Sequence, residues 1–429
     1  MTTVDTQEAH PYNFRGYLLF WIGQLLSNLG SNIVQFVIVI WIAWEYDSAF
    51  LLGLSAFAGF APLVLLTPFA GVLVDRWSRK KVIATVDGLQ ALATAIMVYL
   101  FFLEIESFWL LVFLLVILAC RGTFQAFHFP ATEAIMPLMV PKERLSRLNA
   151  LTYLMLGVVV IIGPLLAVFL LLYWEVYEIM LLDPLTFLIA IIPVLIIRIP
   201  EVKRSPREKG MLEEFIDDFI DGIGFIKQGN GLLALLSLFT AANFFVTFLN
   251  ILLPLYVKNV HSGDKTDLGY LVAAQNIGLL IGALLMSSWK GFKRNIVGVA
   301  FAMLIMYVGF LIVAFTPKDP NAFLMIGFGL LIMGFMLPVM NVSSQTIWQK
   351  VTPPEKIGRV FAARRTIAQI TAPVAMIISG VLAEFIGIQS LFFVCVVLGL
   401  SCLTYTWFMT NLPAVEYIPA AIEAPIAVS

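Results

Sequence analysis

The chain has 429 residues, of which 61% are hydrophobic and 12% are charged, and its formal net charge is −1. Soluble domains carry about 25% charged residues, so this composition excludes an ordinary soluble protein and indicates one embedded in a membrane. The balanced charge excludes a basic surface for nucleic acid. The cysteines Cys120, Cys395 and Cys402 lie in apolar runs without metal-binding spacing, so no redox chemistry, metal site or cofactor is expected.

Twelve apolar runs follow a polar N-terminal segment, 1–14, which has no apolar core with a cleavage site and is therefore not expected to be a signal peptide. Each run is near or above the ~20 residues that a helix needs to cross the hydrocarbon of a bilayer. The sequence therefore predicts an all-α membrane protein of twelve transmembrane helices. The runs are 17–43, 51–74, 82–103, 108–139, 148–173, 177–197, 232–257, 268–289, 296–315, 323–347, 367–385 and 391–409.

A charged loop separates the second and third runs, and it orients the chain. Its sequence is Gly71-Val-Leu-Val-Asp75-Arg76-Trp-Ser78-Arg79-Lys80-Lys81. Basic residues concentrate on the cytoplasmic side of membrane proteins, so this loop is expected there. With an even number of spans, both termini are then cytoplasmic, and 22 of the 26 Lys and Arg residues fall on the same side.

The only long interruption is the central loop, 199–231, which separates an N-terminal bundle, 15–198, from a C-terminal bundle, 232–411, with a cytoplasmic tail, 412–429. Within the loop, apolar residues recur at helical spacing opposite acidic ones, which predicts an amphipathic helix along the membrane surface. The apolar positions are Leu212, Phe215, Ile216, Phe219 and Ile223.

The two halves repeat each other. Residues 140–148 are echoed by residues 352–360 at an offset of 212, which also pairs Gly122 with Gly334 and Glu133 with Gln345. This repeat predicts duplication of a six-helix unit and two pseudo-symmetric bundles. Such repeats place the substrate site where the halves meet, near the bilayer midplane.

These features resemble the major facilitator superfamily. Gly71, Asp75, Arg76, Arg79 and Lys80 match the family's signature in the loop between the second and third helices, whereas Ser78 stands where the pattern has Gly. The fourth run and its following loop, 121–149, are similar to the bacterial export branch that contains macrolide efflux pumps and siderophore exporters.

The resemblance implies that the charged loop acts as a conformational latch. Asp75 would face the N-terminus of the eleventh helix or pair with Arg364 or Arg365, and Arg79 would seek an acid such as Glu133. The alternative is that these charges only fix the topology.

Helix 1 carries a polar stripe of Gln24, Asn28, Ser31, Asn32 and Gln35, which lie on one face at about 100° per residue. Such a stripe either lines a cavity or bonds packed helices together. Asn243 and Asn250 on the seventh helix favour the cavity. Further expected cavity residues are Gln275, Asn341 and Gln345.

Helix 4 places Arg121, Gln125 and His128 on one face. A cation as deep as Arg121 costs about 2.5–3.5 kcal/mol on insertion scales, so it requires a partner or a hydrated cavity. Candidate proton or charge relays are Asp87, Glu133 and Asp183, although Asp87 and Asp183 could equally be structural pairs. His128 could titrate near neutral pH or simply pack.

The sequence has neither an ATP-binding Walker loop nor a catalytic cluster, so it does not predict an enzyme. The leading hypothesis is a proton-coupled exporter of amphiphilic small molecules (drug, macrolide or siderophore-like) in the cell membrane, working by alternating access as a monomer. The alternatives are a lipid or lysolipid transporter of the same fold and a non-transporting membrane scaffold. Expected partners are the substrate, membrane lipid and protons.

Overall fold

The computed structural model describes residues 11–74, 77–103, 105–197 and 211–416 of the chain. Throughout these ranges the regular structure is helical. The helices are α1 (Pro11–Tyr46), α2 (Ala49–Val74), α3 (Arg79–Phe102), α4 (Ser107–Glu133), α5 (Met136–Met139), α6 (Lys142–Leu170), α7 (Val176–Met180), α8 (Leu182–Ile196), α9 (Met211–Gln228), α10 (Leu232–Leu255), α11 (Lys265–Ser288), α12 (Asn295–Phe315), α13 (Ala322–Val351), α14 (Ile357–Ile386) and α15 (Ile388–Met409).

The described residues include 12 helical stretches that are long and apolar enough to cross a membrane, as the sequence predicts. Two of the spans are interrupted where one continuous helix was expected. α4 ends at Glu133 and α7 ends at Met180, four residues before Pro137 and Pro184 respectively. Each span resumes after a short break as α5 or α8. The proline contributes to the break because it has no N–H to donate to the carbonyl four residues earlier.

The chain packs into two compact units. The first unit is Met1–Asp47 with Leu54–Leu212, and the second is Ser48–Gly53 with Glu213–Ser429. In the first unit, α1 packs against α6 and α8, and α3 packs against α4 and α8. In the second unit, α10 packs against α14 and α15, and α13 packs against α11 and α12.

Glycines allow the same close helix crossing in both units. A Cβ at Gly122 on α4 would lie 2.1 Å from the backbone oxygen of Gly59 on α2, and a Cβ at Gly334 on α13 would lie 1.9 Å from that of Gln275 on α11. Gly122 and Gly334 are equivalent in the sequence repeat. Backbone approach of this kind is typical of small residues in membrane helix packing.

The amphipathic helix of the central loop is α9. Gly222 and Ile226 are buried, and Ile216, which was assigned to the apolar face, is 45% exposed. The position of α9 along a membrane surface stays a prediction. The acidic residues are engaged, since Arg359 on α14 contacts Asp218 at 2.7 Å and Asp221 at 2.9 Å. Hydrogen bonds from Arg359 and Lys356 lower the pKa of Asp221. α9 is therefore held to α14 partly by charge.

The glycine crossing predicts opposite effects of two Gly→Ala substitutions. Gly334→Ala should destabilise the protein by about 1–3 kcal/mol, because the added methyl meets a backbone oxygen that cannot move independently. Gly157→Ala on α6 is the control, because its Cβ would meet nothing within 4 Å and alanine favours a helix interior by about 0.5–1 kcal/mol. Thermal unfolding of the detergent-purified variants measures both, and equal melting temperatures would contradict the close packing.

Candidate functional site

Four helices of the first unit, α1, α3, α4 and α8, bury polar side chains in the interior. Each of these side chains belongs to a residue less than 8% exposed. Burying a polar group costs free energy unless it finds a partner, so their hydrogen bonds decide what the site can do. The residues are Gln24, Asp87, Thr94, Arg121, His128 and Asp183.

The arginine cluster consists of Arg121, Asp183, Thr94 and Ser31. Arg121 Nη1 lies 2.5 Å from Asp183 Oδ2 and also donates to Thr94. Thr94 and Ser31 donate to the two oxygens of the same carboxylate at 2.6 Å each. The buried cation predicted to require a partner thus has one, and Asp183 is compensated by a group that stays protonated in proteins.

The histidine cluster consists of Asp87, His128 and Gln24. His128 Nε2 lies 2.9 Å from Asp87 Oδ1 and 2.9 Å from Gln24 Oε1, while Gln24 Nε2 donates to Asp87 Oδ2 at 3.1 Å. Both oxygens facing His128 are acceptors, so the hydrogen lies on Nε2. Unlike Asp183, Asp87 faces an imidazole whose charge depends on its protonation.

A cavity of about 440 Å³, here called the aromatic cavity, opens beside the histidine cluster. Its volume lies in the range of pockets that hold drug-sized ligands, and its walls combine aromatic and aliphatic side chains with a few polar groups. The lining residues are Tyr17, Phe20, Trp21, Gln24, Leu25, Asn28, Gln125, His128, Phe129, Thr132, Glu133, Met136, Pro137, Leu145, Asn149, Thr152 and Leu156.

A much smaller space, the polar crevice, connects the two clusters. Its volume of about 10 Å³ is near the minimum that holds one water. It shares Gln24, Asn28, Gln125 and His128 with the aromatic cavity. Asp87 and Asp183 line the crevice but not the cavity. Both acids therefore lie one layer behind the cavity wall.

Two roles were expected for the polar stripe of helix 1, lining a cavity and bonding packed helices together, and different residues of the stripe take each role. Gln24 and Asn28 line both spaces. Ser31 bonds to Asp183 on another helix, which is the helix-bonding role. Asn32 donates to the carbonyl of Asn28, 2.8 Å away within its own helix, and Gln35 is exposed. Neither Asn32 nor Gln35 lines the two spaces.

The remaining expected cavity residues lie elsewhere. Arg121 lines neither space, and its guanidinium contacts Asp183. In the second unit, Arg364 donates to Gln345 at 2.9 Å and lies 5.3 Å from the ring centroid of Trp348. Gln275 is half-buried beneath Gly334, and Asn243, Asn250 and Asn341 are exposed.

The charged loop is only partly described. Asp75 and Arg76 lie outside the described residues. A Cβ at Gly71 would meet nothing within 4 Å, and Arg79 is the first residue of α3. Lys80 donates to the carbonyls of Leu195 and Ile197 at 2.6 and 2.9 Å. A cation at the last carbonyls of a helix is favourable, so Lys80 stabilises the end of α8. The latch with Arg364 and the exposed Arg365 stays a prediction.

Sequence reasoning missed the aromatic wall and Thr94. Tyr17, Phe20 and Trp21 lie one and two turns before Gln24 on α1, and Trp21 Nε1 donates to Thr152 Oγ1 at 2.9 Å. The available signal was that Trp21 and Phe20 lie three and four residues before Gln24, and therefore on the same face of α1 as the polar stripe. Thr94 lies seven residues after Asp87, and therefore on the same face of α3.

Five residues of the polar clusters have no strongly polar counterpart at the equivalent positions of the second unit, whereas Ser31 corresponds to the exposed Asn243. The repeat offset of 212 residues pairs these five with buried, weakly polar or apolar side chains of α12, α13 and α15. Asp87, Thr94, Arg121, His128 and Asp183 correspond to Val299, Met306, Met333, Met340 and Cys395, each at most 3% exposed.

Comparison with known proteins gives the same class at the level of the whole chain. The family model of the Major Facilitator Superfamily matches residues 20–264 and 233–428. Macrolide efflux protein A of Streptococcus pyogenes is 29% identical over 88% of this chain and 91% of its own. The multidrug efflux pump Tap of Mycolicibacterium fortuitum is 24% identical over 88% and 92%. The crystal structure of nucleoside transporter NupG has a similar fold, with a TM-score of 0.69 at 11% identity over 94% of this chain and 100% of that one.

The arginine cluster predicts a non-additive double substitution. Arg121→Met alone should destabilise the protein by about 3–5 kcal/mol, because it leaves Asp183 buried without its cation. Adding Asp183→Asn should restore most of the loss, since the remaining amide is neutral. Melting temperatures of the detergent-purified single and double variants measure this. A double variant no more stable than Arg121→Met would show that the two charges do not neutralise each other.

Proposed function

The chain belongs to the major facilitator superfamily, and from that premise we propose that it exports amphiphilic small molecules, driven by a proton gradient. Members of this family are multi-pass secondary transporters, not enzymes. The chain is accordingly a multi-pass membrane transporter. The proposal adds the direction, the coupling ion and the class of substrate.

The aromatic cavity is the observation that supports this proposal most. Its walls contain Trp21, Phe20 and Phe129, which bury large flat areas of a ligand, while Gln24 and His128 offer hydrogen bonds at one end. Apolar lining with a few convergent polar groups suits a molecule that is amphiphilic itself. Its relatives also favour export, since two of them are named as efflux proteins for macrolides and for multiple drugs.

The remaining features of the proposal come from the sequence. The distribution of Lys and Arg favours cytoplasmic termini. The exporter would lie in the cell membrane and act as a monomer. The sequence predicts a substrate site where the N-terminal bundle, 15–198, meets the C-terminal bundle, 232–411, whereas all residues that line the aromatic cavity belong to the first unit. The substrate would bind in the aromatic cavity and leave by alternating access. Asp87, Glu133 and Asp183 are the acids available to a proton relay. Among them, Asp183 is the least suited because Arg121 already neutralises it.

Inverted membrane vesicles containing the protein test the proposal. A fluorescent amphiphilic dye should accumulate in the vesicles when a proton gradient is imposed, and this accumulation should stop when an ionophore collapses the gradient. Redistribution of labelled lysolipid between leaflets without dye transport would replace the proposal with a lipid transporter. Movement of neither probe would favour a non-transporting scaffold.

A matched pair of tryptophan substitutions tests the cavity. Trp21→Ala should raise the half-saturating dye concentration about tenfold, because aromatic contacts are worth about 0.5–1.5 kcal/mol beyond their buried area. Trp109→Ala on α4 is the control, since Trp109 is 52% exposed and lines neither space. Initial transport rates in the same vesicles measure both. Equal half-saturation in the two variants would place dye binding elsewhere.

A further inference from the structure

The chain beyond the last span folds back onto the second unit. After α15, a 3₁₀ turn follows at Leu412–Ala414. Leu412 and Val415 are 0% and 1% exposed. Residues 410–416, here called the C-terminal clasp, are therefore packed into the second unit, although the sequence assigned residues 412–429 to a tail.

The C-terminal clasp lies against the start of α10. Gly231, which directly precedes that helix, has a φ of +74°, and a Cβ there would lie 2.5 Å from the backbone oxygen of Asn411 and 3.1 Å from Val415 Cβ. A side chain at position 231 would therefore strain the backbone and displace the clasp. This close approach joins the end of α15 to the start of α10.

The last residue of the clasp, Glu416, caps the start of α12. Its Oε1 accepts from the backbone N–H of Asn295 at 3.1 Å and from Asn295 Nδ2 at 2.9 Å, and its Oε2 accepts from the backbone N–H of Ile296 at 3.0 Å. The first N–H groups of a helix lack partners within the helix. Arg294, at the N-cap position, cannot bond to them because a guanidinium has no acceptor. Glu416 supplies the acceptor, although it lies 121 residues after Asn295.

The clasp also supplies a charge that the neighbouring loop lacks. The loop between α11 and α12, 289–294, has three basic residues and no acid, whereas the loop between α2 and α3 contains Asp75. Arg294 Nη2 donates to the carbonyl of Pro413 in the clasp at 2.6 Å. Glu416 then places its carboxylate at the start of the next helix, where the helix dipole favours an anion.

The first unit ties the corresponding helix ends in a simpler way. Lys80, at the start of α3, donates to the carbonyls of Leu195 and Ile197 at the end of α8. These helices belong to the third and sixth spans of the chain, as α12 and α15 are the ninth and twelfth. In both units a basic side chain links the two helix ends, and the second unit adds the carboxylate of Glu416.

We propose that Glu416 is a positioning residue that makes the start of α10, the start of α12 and the end of α15 one cooperative unit. Its carboxylate fixes α12 to the clasp, and the clasp fixes α15 to α10, so the three helix ends open only together. In a transporter that works by rocking of rigid bundles, the helices of a bundle must move as one body. This role in the conformational change rests on the proposed function.

Hydrogen exchange of the detergent-purified protein, measured by mass spectrometry, tests the coupling without a substrate. Glu416→Ala should speed amide exchange at the start of α12 by about fivefold, the effect of a lost helix cap. Because the ends are coupled, exchange should rise by a similar factor at residues 232–236 of α10 and at residues 410–415.

Asp264→Asn is the matched control in the same unit. Asp264 caps α11 locally, because its side chain accepts from the backbone N–H groups of Thr266 and Asp267. Its loss should speed exchange at the start of α11 and leave the three clasped ends unchanged.

A local cap separates positioning from capping. Adding Arg294→Asp to Glu416→Ala places a favourable N-cap residue directly before α12 but restores no bond to the clasp. Exchange at the start of α12 should return to that of the unchanged protein, whereas exchange at α10 and at the clasp should stay fast. Both variants should lower the maximal rate of dye export by up to about fivefold. The half-saturating dye concentration should not change, since these residues do not line the aromatic cavity.

Three results would overturn the inference. They are faster exchange in Glu416→Ala at the start of α12 alone, restored exchange at all three ends in the double variant, and an undiminished maximal export rate in both variants. Coupled exchange at the three ends in a protein that moves no dye would contradict the proposed function alone. Dye export by a protein whose exchange response is confined to α12 would contradict this inference alone.

Discussion

A carboxylate inside a packed helical bundle must be neutralised, and this constraint organises the first unit. Asp87 and Asp183 are both nearly inaccessible to solvent, and each draws polar side chains from other helices towards it. Four helices meet through these contacts: α1 through Gln24 and Ser31, α3 through Asp87 and Thr94, α4 through Arg121 and His128, and α8 through Asp183. The polar interior thus determines which faces of these helices turn inward.

The two acids are neutralised in different ways. A guanidinium remains charged under all ordinary conditions, so the arginine cluster is a fixed joint between α4 and α8. An imidazole can be neutral or cationic, so the charge of the histidine cluster depends on whether His128 is protonated. The arginine cluster, whose charge is fixed, does not line the aromatic cavity, whereas Gln24 and His128 of the histidine cluster form part of its wall.

The sequence was sufficient for the spans but not for the pairing inside them. Apolar length alone identifies a membrane helix, which is why all twelve spans are found. Arg121, Asp87, Asp183 and His128 were recognised as unusual because charge in a span is costly. Which acid meets Arg121 depends on which helices are neighbours, and one chain's periodicity does not contain that information. Hydropathy alone does not locate the helical breaks before Pro137 and Pro184, because it does not register a lost hydrogen bond.

The contrast between the two repeated units has an evolutionary consequence. In the first unit, each clustered residue depends on the charge of its partners, so Arg121 and Asp183, or Asp87 and His128, can be exchanged only together. In the second unit, the equivalent positions hold Met333, Cys395, Val299 and Met340, whose flexible or compact apolar side chains tolerate replacement one at a time. Among descendants of the duplicated ancestor, the first half should therefore change in coordinated steps, while the interior of the second half drifts freely among residues of similar volume.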